Sequence, residues 1–186
     1  MAISVPEQGR LRHPISYFRT ELYATPAYRS DTPWCIRAAR DRHLTYNAAL
    51  IATGVTVLKG HHITAPNGKR LEKQSDVNLA LSLMMDGEDN VYDIAYLLSG
   101  DSDQAATGRF FKERFGTAKK LIGVGTPSRP VAEKLTTYTH SNFEMTKDHL
   151  DQAVFPAFVP GRTGNLIRRP DAYEPPSWWV HPDDRP

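Results

Sequence analysis

Asp101 and Asp103 stand two residues apart in Ser99-Gly100-Asp101-Ser102-Asp103, directly after the apolar run of residues 91–98. Two carboxylates this close repel each other unless a cation or a basic group lies between them. Mg²⁺ and Mn²⁺ prefer oxygen ligands and are held by a few carboxylates together with water and substrate phosphate. The pair is therefore a candidate divalent-metal site. Helix capping is the competing account: an Asp at an N-cap contributes about 1 kcal/mol, which explains one aspartate better than two. Asp76 is a third candidate ligand, because it opens a predicted helix and would face the same sheet edge; capping is again the alternative. Lys73, three residues earlier, is placed either to balance the acidic cluster or to touch a phosphate. Ser99 and Ser102 are placed to orient the carboxylates or simply to close the turn.

The elements that must position these residues can be read from pattern. Residues 15–24 (ISYFRTELYA) are rich in β-branched and aromatic types and read as a strand. Residues 33–52 read as a helix, with Asp31 or Thr32 as cap, Pro33 in the first turn and Gly54 just past the end. Ile36, Ala39, His43, Tyr46 and Leu50 form its expected buried stripe. A strand at 55–63, a turn at Pro66-Asn67-Gly68-Lys69 and a helix at 76–85 follow, the helix with Val77, Leu79, Ala80, Leu83 and Met84 inward. Residues 91–98 are apolar apart from Asp93, as in a strand covered on both faces. A helix at 104–115 ends at Gly116; then come a strand at 119–124, a helix near 130–137, a short strand near 142–145 and a helix at 147–153. Strands alternating with helices predict an α/β domain with a mostly parallel sheet and helices on both faces. In such a sheet ligands bind beyond the carboxyl ends of the strands, the place that residues 99–103 occupy.

Composition sets the bounds. A chain of 186 residues suits one domain with a sizeable core, and a net charge of +2 argues against a strongly basic nucleic-acid-binding body. Cys35 is the single cysteine, so an internal disulfide and a cysteine-built metal cluster are both excluded, and a reducing cytoplasm is the expected compartment. No apolar run reaches the roughly 20 residues of a membrane helix, and residues 1–14, an irregular lead-in, lack a signal-peptide core. Residues 157–186 are proline-rich and predict an extended or disordered arm, in which Trp178 and Trp179 either dock on the body or in a crystal or dimer contact, or stack on nucleobases.

Three segments carry a family resemblance: Glu72-Lys73-Gln74-Ser75-Asp76-Val77-Asn78-Leu79-Ala80-Leu81, then Tyr92-Asp93-Ile94-Ala95-Tyr96-Leu97-Leu98-Ser99-Gly100-Asp101-Ser102-Asp103, then Lys120-Leu121-Ile122-Gly123-Val124-Gly125. Together they resemble the NYN domains of the PIN-like nuclease superfamily over residues 15–156. The resemblance implies a three-layer Rossmann-like fold, Mg²⁺ or Mn²⁺ bound by clustered aspartates, and cleavage of RNA, with Asp76, Asp101 and Asp103 at the family's acidic positions. The family begins with a strand ending in Asp-Gly-x-Asn, which supplies a first acidic ligand and the central strand of the sheet. Residues 1–14 hold no such motif, and residues 15–24 resemble the family's second strand. The sheet is thus expected to lack its usual first strand, unless Ile3-Ser4-Val5 or a second copy of the chain fills the gap.

The expected activity is metal-dependent hydrolysis of single-stranded RNA. A catalytically weak RNA-binding or regulatory protein is the alternative, favoured by the missing first motif. A haloacid-dehalogenase-like phosphatase also uses a late Gly-Asp, but needs an early Asp-x-Asp nucleophile that is absent here. Among the remaining polar residues, adjacent His61 and His62 point to opposite faces of a strand and cannot easily share a metal. His140 and His149 stand alone. Arg109, Lys112, Arg114, Lys119 and Lys120 read as a solvated face, whereas Lys69 and Arg70 with Lys73 adjoin Asp76 and suit a phosphate. Cys35 has no partner base in sight.

Overall fold

Seven strands and the helices between them build one mixed sheet with its helices packed against it. The computed structural model describes residues 2–4, 16–20, 34–64, 66 and 70–185. In chain order the elements are β1 (Ala2–Ser4), β2 (Ser16–Thr20), α1 (Trp34–Ala52), β3 (Thr56–Thr64), β4 (Arg70–Lys73), α2 (Ser75–Glu88), β5 (Ile94–Leu98), α3 (Gln104–Phe115), β6 (Lys120–Gly125), α4 (Glu133–Thr136), β7 (Ser141–Glu144) and α5 (Lys147–Gln152). A separate hairpin of β8 (Phe158–Pro160) and β9 (Leu166–Arg168) follows. The strand order is β4-β3-β2-β1-β5-β6-β7. β2 and β3 are parallel, as are β5 with β6 and β6 with β7; β4 runs against β3, and β1 against both β2 and β5. The chain is therefore a mixed α/β protein in which β2, β3, β5, β6 and β7 point the same way.

Where a central parallel strand was expected to be lacking, β1 stands: Ala2 pairs with Ser16 on one side and with Leu97 on the other, and Ser4 reaches Ala95. Part of the segment read as an irregular lead-in is thus a strand, and it runs antiparallel. A sheet open at this point would leave the inner edges of β2 and β5 without backbone partners, which is costly in a buried setting. Three residues suffice to bridge them.

The core lies where α2 and α3 cover β5 and β6. Leu79 and Leu83 of α2, Ala95 and Leu97 of β5, Phe111 of α3, Leu121 of β6, Leu135 of α4 and Tyr92 form one buried cluster. Ala95 and Leu97 alternate with less buried Ile94, Tyr96 and Leu98, the period-two pattern of a strand with unequal faces. Tyr92 lies in the same cluster, and its hydroxyl donates to the Leu83 carbonyl; burial, with Asp86 nearby, pushes its phenol well above the ordinary range. The helical periodicity of residues 76–85 located the inward positions only in part. Leu79 and Leu83 are buried, but Val77 is 58% exposed and lies with Leu81 and Met85 on the outer side. Among the described side chains of α1, Asn47, Ala49 and Leu50 are buried, while His43 and Tyr46 are half-buried.

β4 is an element the sequence pattern did not reveal. Its four residues pair antiparallel with β3, from His61 opposite Lys73 to Thr64 opposite Arg70. Asn67-Gly68-Lys69, Asp31, Thr32 and Pro33 lie outside the described residues, as do the side chains of Cys35, Ile36, His61, His62 and Arg70.

The proline-rich arm is folded, not extended or disordered. β8 and β9 form a hairpin closed by the Gly161 N–H donating to the Asn165 carbonyl at 2.7 Å, and Val159 is buried. Arg169 anchors the hairpin to the body by donating to the Phe155 carbonyl at 2.6 Å and to Glu174 at 2.6 Å. Tyr46 of α1 meets Phe155 and Tyr173 edge-on at 6.0 and 6.4 Å. Further on, Trp179 donates through Nε1 to Asp151 at 3.1 Å, and Arg185 donates to the other oxygen of the same carboxylate at 2.8 Å. Trp178 is 78% exposed. The Arg185 and Trp179 hydrogen bonds hold the Asp151 carboxyl below its usual value. A depressed carboxylate contributes its stabilisation above the ordinary carboxylate pKa and loses it as pH falls through the depressed value. Acidification below about pH 4 is therefore expected to release the tail. Exchange of the Trp179 indole N–H, followed by NMR, should quicken there while the amides of β5 stay protected; Asp151→Ala should show the quick exchange already at neutral pH.

Among the described residues, no helix is long and apolar enough to cross a membrane.

Candidate functional site

The parallel strands β5 and β6 end side by side, with Leu97 opposite Gly123 and Leu98 opposite Val124. Beyond their carboxyl ends the chain turns into the 99–103 segment on one side and into Thr126-Pro127-Ser128-Arg129 on the other. A cleft of about 330 Å³ lies between them, lined by Asp76, Ser99, Gly100, Asp101, Thr126 and Arg129 among others. This is the sheet edge at which α/β proteins bind ligands.

Asp76 reaches the cleft from the first turn of α2. The chain enters α2 from β4 through Gln74, whose left-handed backbone (φ 78°, ψ −15°) is uncommon for a residue with a side chain. The junction also crosses close over β3: a Cβ on Gly60 would lie 2.7 Å from the Lys73 carbonyl oxygen. Glycine at 60 is what lets β4 turn into α2 here. The Asp76 carboxylate is then held by Gln104, whose Nε2 donates to Asp76 Oδ1 at 3.0 Å. Gln104 is only 2% exposed, and its own Oε1 accepts from Thr107 Oγ1 at 2.9 Å. A buried amide with both ends satisfied is a firm support. Through it the first turn of α3 fixes a carboxylate on α2.

Asp101 closes the turn that leads into α3, whose N-cap residue, Asp103, makes no side-chain cap bond of its own. Its Oδ1 accepts the Asp103 N–H at 2.9 Å, and its own N–H donates to Ser99 Oγ at 3.1 Å. Ser99 thus closes the turn that presents Asp101. Asp103 is already helical (φ −68°, ψ −24°), and its carbonyl accepts the Ala106 N–H. It is exposed and is not among the residues that line the cleft.

The structure therefore gathers Asp76, Ser99 and Asp101 around one opening, while Asp103, Ser102 and Lys73 stand outside its lining. Among the described residues, no group of three His, Cys, Asp or Glu side chains is arranged to hold one metal ion. Two carboxylates on one cleft suit a Mg²⁺ or Mn²⁺ ion that keeps most of its water and takes further oxygens from substrate.

Two residues at this site escaped the sequence reading. Gln104 follows the Asp-Ser-Asp segment directly, but a polar residue at a helix start carries no sequence sign that it is buried. Arg129 brings a cation to an acidic opening from a loop distant in sequence.

Several other charged residues have partners elsewhere. Arg114 forms a two-pronged pair with Glu88, and Arg109 meets Glu113 at 3.5 Å. Lys119, expected on a solvated face, is 7% exposed and donates to Asn90 Oδ1 at 2.7 Å and the Tyr92 carbonyl at 2.6 Å. It sits at the start of β6, the edge of the sheet opposite the cleft. His140 accepts the Leu121 N–H at 3.1 Å, and His149 closes a capping box with Thr146 at the start of α5; both act structurally.

No family model matches the chain, and no curated protein matches it. A solved structure of a protein of unknown function from Vibrio parahaemolyticus is similar at 20% identity, with a TM-score of 0.43 over 64% of this chain. The match spans 65% of that protein's chain, a little under two thirds of its length.

Proposed function

We propose that this chain is a metal-dependent ribonuclease of the NYN type, with the PIN-like, three-layer Rossmann-like fold, hydrolysing single-stranded RNA at the cleft of Asp76 and Asp101. The observation that carries the reading is that these two carboxylates, 25 positions apart in sequence, line one opening beyond the carboxyl ends of β5 and β6. A bound Mg²⁺ or Mn²⁺ would supply a water of lowered pKa and offset charge at phosphorus. The chain's own part is positional. Asp76, braced by Gln104, and Asp101, braced by Ser99 and the start of α3, would present their oxygens to the ion from two sides of the cleft. Ser99 keeps Asp101 turned toward the opening. Because the site is at the end of the sheet and open to solvent, it would admit a single strand and leave the phosphodiester accessible to water.

Removal of divalent metal is the first test. With EDTA, hydrolysis of a labelled single-stranded oligoribonucleotide should stop and should return on adding Mn²⁺, and calorimetry should detect Mn²⁺ binding to the RNA-free protein. Hydrolysis that persists unchanged in EDTA would overturn the reading.

A second reading, a non-catalytic RNA-binding or regulatory protein of the same type, is favoured by the two-carboxylate lining of the cleft. It expects RNA binding with no cleavage at any Mn²⁺ concentration.

A further inference from the structure

We infer that Arg129 is the phosphate-gripping residue of the cleft, contacting the phosphodiester that enters beside Asp101. The inference rests on the RNA-binding part of the reading above, shared by its catalytic and non-catalytic forms.

Arg129 is placed by a tight turn. The Thr126 N–H donates to the Arg129 carbonyl at 2.8 Å, and the Arg129 N–H donates back to the Thr126 carbonyl at 3.0 Å. Pro127 and Pro130 flank this pairing and limit its backbone freedom. From the turn, the side chain lies across the 99–101 loop. A Cβ on Gly100 would lie 2.7 Å from Cγ, 2.8 Å from Cδ and 3.0 Å from Nε of Arg129. Gly100 is thus the floor on which the arginine stem rests, and any side chain there would displace it. This gives a chemical reason for the glycine between Ser99 and Asp101 beyond the turn itself.

Arg129 lines the same cleft as Asp76 and Asp101, yet among the described residues it forms no ion pair with either. Arg109, Arg114, Arg168, Arg169 and Arg185 all pair with carboxylates. Asp76 gives one oxygen to Gln104 and Asp101 gives one to the Asp103 N–H, so each carboxylate is oriented by a neutral donor instead. An arginine held beside two carboxylates without closing on them remains available to an incoming anion. Its planar fork matches the paired oxygens of a phosphodiester. A phosphodiester approaching two carboxylates is repelled, and Arg129 offsets that repulsion at the point of entry. The half-buried Thr126 and exposed Ser128 hydroxyls share the same turn.

The test is fluorescence anisotropy of a labelled single-stranded oligoribonucleotide in EDTA, where neither metal nor cleavage enters the measurement. Arg129→Ala is expected to weaken binding about tenfold and to lower the salt slope by about one. Arg129→Lys should retain the slope while recovering only part of the affinity. Lys120→Ala, which removes an exposed charge at the opposite sheet edge, should change neither. Wild-type affinity and salt slope in Arg129→Ala would overturn the inference and leave the reading of the cleft intact. Absence of RNA binding by the wild-type protein would overturn that reading and the inference with it. Thermal melting of each variant, expected to coincide with wild type, separates lost contact from lost fold.

Discussion

Asp101→Asn is expected to reduce Mn²⁺-dependent cleavage of single-stranded RNA by at least about 100-fold, a loss larger than the 10–100-fold typical of residues that only support a metal ligand. The substitution discriminates because of what it preserves. Asn keeps an Oδ1 that can accept the Asp103 N–H, and Asn and Asp are about equally good at a helix start. The turn into α3 therefore survives, and stability should change by less than about 0.5 kcal/mol. What is lost is the negative charge and the second carboxylate oxygen. If Asp101 served only to close the turn, cleavage by Asp101→Asn would equal wild type, and a single time course with matched melting curves would establish it. Calorimetry on the same variant should show Mn²⁺ affinity falling in parallel. Intact affinity with lost cleavage would move Asp101 from metal ligand to substrate contact.

The largest effect on stability is expected from Phe111→Ala. Phe111 is fully buried, stacks on Tyr92 at 6.4 Å with 10° between ring planes, and meets Phe115 at 4.9 Å. It is the side chain of α3 that fills the space over β5 and β6, so truncation leaves a cavity walled by Leu97, Leu121 and Leu135. Phe→Ala losses of this kind run about 3–5 kcal/mol, against about 5–15 kcal/mol for a whole domain. Urea denaturation should show the midpoint falling with the slope unchanged. A loss under about 1 kcal/mol would mean that α3 is not packed on the sheet as described. Since α3 also carries Gln104 and follows the turn that Asp101 closes, partial unfolding of this variant should weaken RNA binding in step with the folded fraction and no further.

The regular elements near the site were legible because each carries local signals. The helix of residues 104–115 has a capping aspartate before it and a glycine directly after it, and α3 spans those residues. β5 and β6 are apolar runs between turn residues. The same reasoning failed for β1, β4 and the arm, each for a definable reason. β1 is three residues long, too short to display a period, and it is a strand only because β2 and β5 both need an edge covered. β4 is Arg-Leu-Glu-Lys, whose charges hide its pairing with β3. The arm's prolines argued for extension, but its order comes from contacts that composition does not encode: Arg169 on Phe155, Tyr46 on Tyr173 and Trp179 on Asp151.

By itself the sequence determined which residues were candidates for chemistry and which end of the sheet they would occupy, because an apolar strand followed by Ser-Gly-Asp can deliver its carboxylate only beyond the strand's carboxyl end. It could not decide which of three aspartates share an opening. Asp101 and Asp103 are close in sequence, but successive residues entering a helix diverge by about 100° each, and Asp103 turns out of the cleft. Asp76, distant in sequence, turns into it, held by a buried glutamine that only packing identifies. Arg129 enters the same opening from a loop whose position depends on β6 lying next to β5. Proximity across strands is a property of the assembled sheet, and the charge balance of the cleft follows from it.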